Sequence, residues 1–184
     1  MRIETLRRKY NIEVRYRNFP LHPNTPQSGL TLEELFAGRG IDLAAAQQRM
    51  TMLMQQEGLP YGERTMTFNS RLAQELAAWA DTQDNGWAIH DALFRAYFVD
   101  GQNLAEIDTL TELAGRCGLS AQTAREVLEQ RQFSETVDED WQACRDWGVT
   151  GVPTFVAGDR ALVGAQPLDA LEQLLLSAGA QLRD

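Results

Sequence analysis

The sequence predicts an α/β fold in which a long all-helical block is set into a strand-bearing framework. Three observations lead there. Residues Ile12 to Phe19 alternate apolar and charged side chains. Apolar stripes at helical spacing then follow one another from Leu32 to Gly148. Strand texture returns at Pro153 and is followed by one last amphipathic helix. With 184 residues, 43% hydrophobic and 23% charged, the chain has enough apolar material for a real core, and one compact domain is the default expectation.

Arg2 to Tyr10 is charged, favours helix and stops at Asn11, so it reads as the last turns of a helix. Ile12, Val14 and Tyr16 face one way and Glu13, Arg15 and Arg17 the other, the pattern of a strand with one covered face. Pro20, Pro23 and Pro26 fix an extended, stiff loop around His22. Helical stripes follow: Leu32, Leu35 and Phe36; Leu43, Ala46, Met50, Leu53 and Met54 up to Gly58; and Leu72, Leu76, Trp79 and Ala80 behind a capping Asn69. The next runs through Ile89, Leu93, Ala96 and Tyr97. Leu110, Leu113, Ala114 and Cys117 stop at Gly118, and Ser120 opens Ala124, Val127 and Leu128. Ser134 opens Val137, Trp141 and Cys144, ending at Gly148. The block is expected to be wholly helical. Pro153 to Ala157, a turn at Gly158-Asp159, and Arg160 to Gly164 predict a β-hairpin, and Pro167 opens a helix carrying Leu168, Leu171, Leu174 and Leu175.

Charge and composition exclude several classes. The net charge of -9 disfavours binding built on phosphate neutralisation, so nucleic acid is not an expected partner. No stretch reaches the ~20 apolar residues of a membrane helix, and Met1 to Arg8 lacks the apolar core of a signal peptide, which places the chain in the cytoplasm. Cys117 and Cys144 are too few and too far apart for a disulfide framework or a zinc site, and neither belongs to a Cys-x-x-Cys. No metal and no cofactor are expected.

Gly148-Val149-Thr150-Gly151-Val152-Pro153-Thr154-Phe155 resembles the cis-proline loop of DsbA-like proteins, and Gly164-Ala165-Gln166-Pro167 resembles that family's lead into its last helix. Thr67-Phe68-Asn69-Ser70-Arg71 and Ala92 to Phe98 agree as well. Together they resemble the FrnE-like branch of the DsbA family of thioredoxin-fold proteins along nearly the whole chain. The resemblance implies a single DSBA-like thioredoxin domain over 1–184, with 1–26 and 149–184 forming the thioredoxin-fold part and about 27–148 the helical insertion. It also implies that the first, central strand, most of the first helix and the Cys-x-x-Cys lie upstream of Met1, so that the chain is truncated and inactive in redox as given.

The activity implied by the resemblance is thiol-disulfide exchange on a protein or small-molecule thiol or disulfide, with glutathione a further candidate partner. Alternatives are a glutathione-dependent isomerase or transferase of the 2-hydroxychromene-2-carboxylate isomerase type, and a non-catalytic binding protein that keeps the peptide groove. No catalytic residue is assigned. The resemblance gives substrate binding to Gly151, Val152, Pro153 and Thr154: it implies a cis Val-Pro bond, which would present the Val152 backbone to an extended peptide while proline offers no N–H.

The other chemistry-bearing residues read blandly. Cys117 and Cys144 sit on apolar stripes near helix C-termini, where the dipole disfavours a thiolate, and are expected to be buried and inert. His22 and His90 lack companion ligands. Asp138-Glu139-Asp140 reads as a solvated face, Trp79, Trp87, Trp141 and Trp147 as core of the helical block, and the methionines near Met52 as gap-fillers.

Overall fold

The computed structural model describes residues 2–183. In chain order they form α1 (Arg2–Lys9), β1 (Leu30–Thr31), α2 (Leu32–Leu35), α3 (Leu43–Gln56), β2 (Met66–Thr67), α4 (Arg71–Ala80), α5 (Ala88–Phe98) and α6 (Ile107–Arg116). Then come α7 (Ala121–Glu129), α8 (Ser134–Asp146), β3 (Thr154–Ala157), β4 (Arg160–Val163) and α9 (Leu168–Ser177). Side-chain caps fix three of the helix starts. Thr31 and Glu34 close a reciprocal capping box on α2, and Asp42 and Ser120 accept the backbone N–H groups of Ala45 and Thr123 at the heads of α3 and α7.

The chain divides into two compact units, Met1–Leu21 with Asp140–Asp184, and His22–Glu139, the division falling inside α8. The first unit is built on a small core. Leu6, Tyr10 and Leu171 are buried there, with Phe155 and Leu162 of the hairpin and Leu168 and Leu175 of α9 packed against them. β3 and β4 pair antiparallel in the register Thr154↔Val163 to Ala157↔Arg160. α1 ends against the C-terminal tail: Asn11 N–H donates to the Gln181 carbonyl at 2.8 Å and Arg183 N–H to that of Lys9 at 3.0 Å.

The second unit holds the larger core. Leu76, Ile89, Leu110 and Leu128 are fully buried on α4, α5, α6 and α7, with Trp79, Leu113 and Val127 around them. Each such side chain contributes about 1.5–3 kcal/mol by leaving water.

The fold departs from the sequence expectation at three places. Ile12 to Phe19 forms no strand. Ile12 does pack on the first core, but β3 and β4 pair only with each other, so among the described residues the segment has no ladder to join. The middle block is not wholly helical either: β1 pairs antiparallel with β2, Leu30 opposite Thr67 and Thr31 opposite Met66. Gly29 makes that pairing possible, since it sits at φ +83° and a Cβ there would lie 2.7 Å from the Thr67 carbonyl oxygen. The methionine-bearing α3 buries no residue, leaving Met50 and Met52 exposed rather than filling gaps.

Candidate functional site

The loop before β3 carries Gly151, Val152 and Pro153, Thr154 opens the strand, and the hairpin fixes the loop from both sides. Gly164 N–H donates to the Pro153 carbonyl at 2.7 Å, and the Thr154 hydroxyl donates to the Gly151 carbonyl at 2.7 Å. Gln166 reinforces the far side, its Nε2 donating to the Val163 carbonyl at 2.6 Å. The Val152–Pro153 bond is cis. Val152 is 50% exposed, and its backbone N–H and carbonyl have no hydrogen-bond partner among the described residues. A Cβ added to Gly151 would meet nothing within 4 Å, so the loop is open on that side. The result is one unpaired peptide edge held rigidly by its neighbours, which an extended chain can meet as a strand meets a sheet.

No activated thiol accompanies this loop. Cys144 is buried, its Sγ donating to the Asn18 carbonyl at 3.6 Å; burial and the nearby Asp140 push its thiol up, against a smaller pull from Arg17 and Arg145. Cys117 is half-buried and burial raises it too, partly offset by Arg116. Both are free cysteines. A raised pKa leaves less thiolate at neutral pH, the reverse of what a disulfide-exchange nucleophile needs.

The solvated face expected at Asp138-Glu139-Asp140 does not extend to Asp140, which is buried. Its carboxylate accepts Arg17 Nη1 at 2.7 Å, Asn18 Nδ2 at 2.9 Å and the Asn18 backbone N–H at 3.0 Å, which ties the segment after α1 to α8. Its place on the stripe three residues after Val137 was the available signal. The tryptophans also depart from expectation: Trp79 is buried, whereas Trp87 is 72% and Trp147 57% exposed. His22 stands edge-on to Phe36, and burial together with Arg39 lowers its pKa. His90 meets Asp81 at 2.7 Å. Among the described residues no group of three or more His, Cys, Asp or Glu side chains is placed to hold a metal, and no helix is long and apolar enough to cross a membrane.

In the second unit Asn69 does more than start a helix. Its Oδ1 accepts Arg71 N–H at 2.9 Å while its Nδ2 donates to the Thr25 carbonyl at 2.7 Å, fixing the end of the proline-rich loop to α4.

A β-hairpin with an amphipathic helix packed on it, in a chain that also carries a helical block, is consistent with a thioredoxin-like protein of the DsbA type. The sequence matches the DSBA-like thioredoxin domain over residues 1–176, and the chain belongs to that family. A solved structure of a probable DsbA oxidoreductase, SCO1869 from Streptomyces coelicolor, is 28% identical with a TM-score of 0.83, covering 92% of this chain and 76% of that one. The structure of a 2-hydroxychromene-2-carboxylate isomerase has a TM-score of 0.71 at 20% identity, covering 97% of this chain and 85% of that one, a likeness of fold. The uncharacterized protein YwbO of Bacillus subtilis (strain 168) is 31% identical over 105 residues, which make up 56% of this chain and 52% of that protein. The match therefore spans about half the length of that relative.

Proposed function

We propose that Gly151, Val152, Pro153 and Thr154 form the substrate-receiving loop of a DsbA-like thiol-disulfide oxidoreductase of the FrnE-like branch, acting in the cytoplasm. The carrying observation is the unpaired, exposed backbone of Val152, locked between the Gly164 and Thr154 hydrogen bonds. An extended segment of a thiol- or disulfide-bearing protein docks there through main-chain hydrogen bonds. Residues 1–26 and 149–184 act as the thioredoxin-fold part and about 27–148 as its helical insertion. Exchange itself needs a low-pKa thiolate and a second cysteine to resolve the mixed disulfide, and Cys117 and Cys144 supply neither. These 184 residues bind substrate without turning it over.

The test is a titration of the ¹⁵N-labelled chain with an extended, reduced cysteine-containing peptide. Amide signals of Gly151, Val152 and Thr154 are expected to move saturably, and Val152→Pro, which removes the N–H, abolishes the response. Shifts confined to other residues would sink the assignment. Insulin reduction by dithiothreitol stays at the background rate, and turnover lost in Cys144→Ser would contradict it. A second reading, a glutathione-dependent isomerase, is supported by the fold shared with the isomerase over 97% of this chain. Under that reading glutathione moves the same three amides and the peptide does not.

A further inference from the structure

Arg64, just before β2, is held in a manner that leaves its charge unanswered. Its guanidinium carbon lies 4.4 Å from the Tyr97 ring centroid and 5.1 Å from that of Phe98. Nη2 donates to the Tyr97 hydroxyl at 2.7 Å, and that oxygen lies 2.9 Å from Oγ1 of the buried Thr67. The plane of the cation is thus fixed by two rings and one hydrogen bond. Its Nε is buried with no hydrogen-bond partner, and among the described residues no carboxylate pairs with it. A buried donor on a charged group is costly to leave unmade, and most such groups have a protein or solvent partner.

Arg64 and Tyr97 also line a cavity of 210 Å³, bordered by Glu63, Thr65, Met66, Phe68 and Gly101. That is below the ~300–1,000 Å³ of an ordinary ligand pocket, so the occupant is small. Met66 and Phe68 offer it apolar contact, and the Arg64 guanidinium offers it a cation with N–H donors. Glu63 is exposed and makes no ion pair with Arg64, so it adds a repulsion that grows with ligand charge. We infer that this cavity, within the helical unit and apart from the Val152 loop, binds a small free monocarboxylate with an apolar body, its carboxylate on Arg64 and its body on Met66 and Phe68.

Sodium benzoate is the probe. Titrated into the ¹⁵N-labelled full chain, it is expected to shift the Arg64 Nε–H and the amides of Thr65 to Phe68 saturably. Benzamide, the same size without the charge, and inorganic phosphate, with more charge, should each bind at least about tenfold more weakly, the size of one charge-assisted hydrogen bond. Arg64→Met should weaken benzoate by a similar factor, and Arg64→Lys should fall between. The comparison of benzoate with benzamide uses the unaltered chain, so it decides the matter even where a variant folds poorly. Equal binding of benzamide, tighter binding of phosphate, no saturation by benzoate, or a twofold or smaller effect of Arg64→Met in a folded variant would each overturn the inference.

Discussion

Glu75 is the most consequential single residue in the second unit, because a carboxylate 1% exposed on α4 is answered by two arginines. Arg131 reaches it through Nε at 2.7 Å and Nη2 at 2.5 Å, and Arg71 through Nε at 2.7 Å. Arg71 also donates to the Ser134 carbonyl and to Asp138, so one carboxylate organises α4, the end of α7 and the start of α8. Burial pushes the Glu75 carboxyl up, but the hydrogen bonds from Arg131 and Arg71 together outweigh it and hold it below its ordinary 4.5. A depressed folded pKa means that the unfolded chain binds the proton first. The stabilisation is therefore complete above about pH 4.5 and is lost as pH falls through the depressed value. Urea denaturation at pH 7 should show Glu75→Gln less stable by about 3 kcal/mol, since two arginines lose their counter-charge. The same variant should lose less stability than the wild type between pH 5 and pH 3; an unchanged acid response would refute the assignment. Little of this was legible in the sequence. Glu75 looked like an ordinary polar position between Leu72 and Leu76, and its partners come from Arg71 beside it and Arg131 far along the chain. The hairpin at Pro153 was legible because a proline, strand texture and a turn all lie within one short stretch, while the part given to the loop before it came from the resemblance alone.

Helices were the elements that the sequence declared best, since their caps and stripes are local. Ser120, Asp42 and the Thr31–Glu34 pair each act within one turn. The hairpin was equally legible for the same reason. What failed were elements that depend on a partner elsewhere: the Ile12 to Phe19 segment has the alternation of a strand without a ladder, and β1 and β2 are too short to leave a period. The joint between α4 and α5 is a further case. Gly86 has an ordinary negative φ, yet a Cβ there would stand 1.5 Å from the Ala80 carbonyl oxygen. Backbone thus closes on backbone, and the Gly86 N–H donates to the Gln83 carbonyl at 3.1 Å within the same turn. Gly86→Ala should cost more than about 2 kcal/mol, because no flexible side chain can yield the space. A midpoint in thermal unfolding within 1 °C of the wild type would show that the joint opens freely.

The molecule divides its apolar content unequally. In the second unit a contiguous core from α4 to α7 includes four fully buried large side chains, while the first unit rests on Leu6, Tyr10 and Leu171 with half-buried neighbours. Local opening is cheapest where few apolar contacts oppose it, so the two units should not exchange their amides alike. Hydrogen exchange is expected to be slowest at Leu76, Leu110 and Leu128, faster by at least an order of magnitude in β3 and β4, and fastest from Glu13 to Arg17, where no ladder protects the backbone. Asn18 should stand out from that last segment, because its N–H is held by the buried Asp140 carboxylate. Asp140→Ala should then bring Asn18 to the rate of Arg17 while leaving Leu76 and Leu110 unchanged. Protection of Glu13 to Arg17 equal to that of the hairpin would mean that the segment is paired in solution, and the edge that Val152 offers to a substrate would have to be reassigned with it.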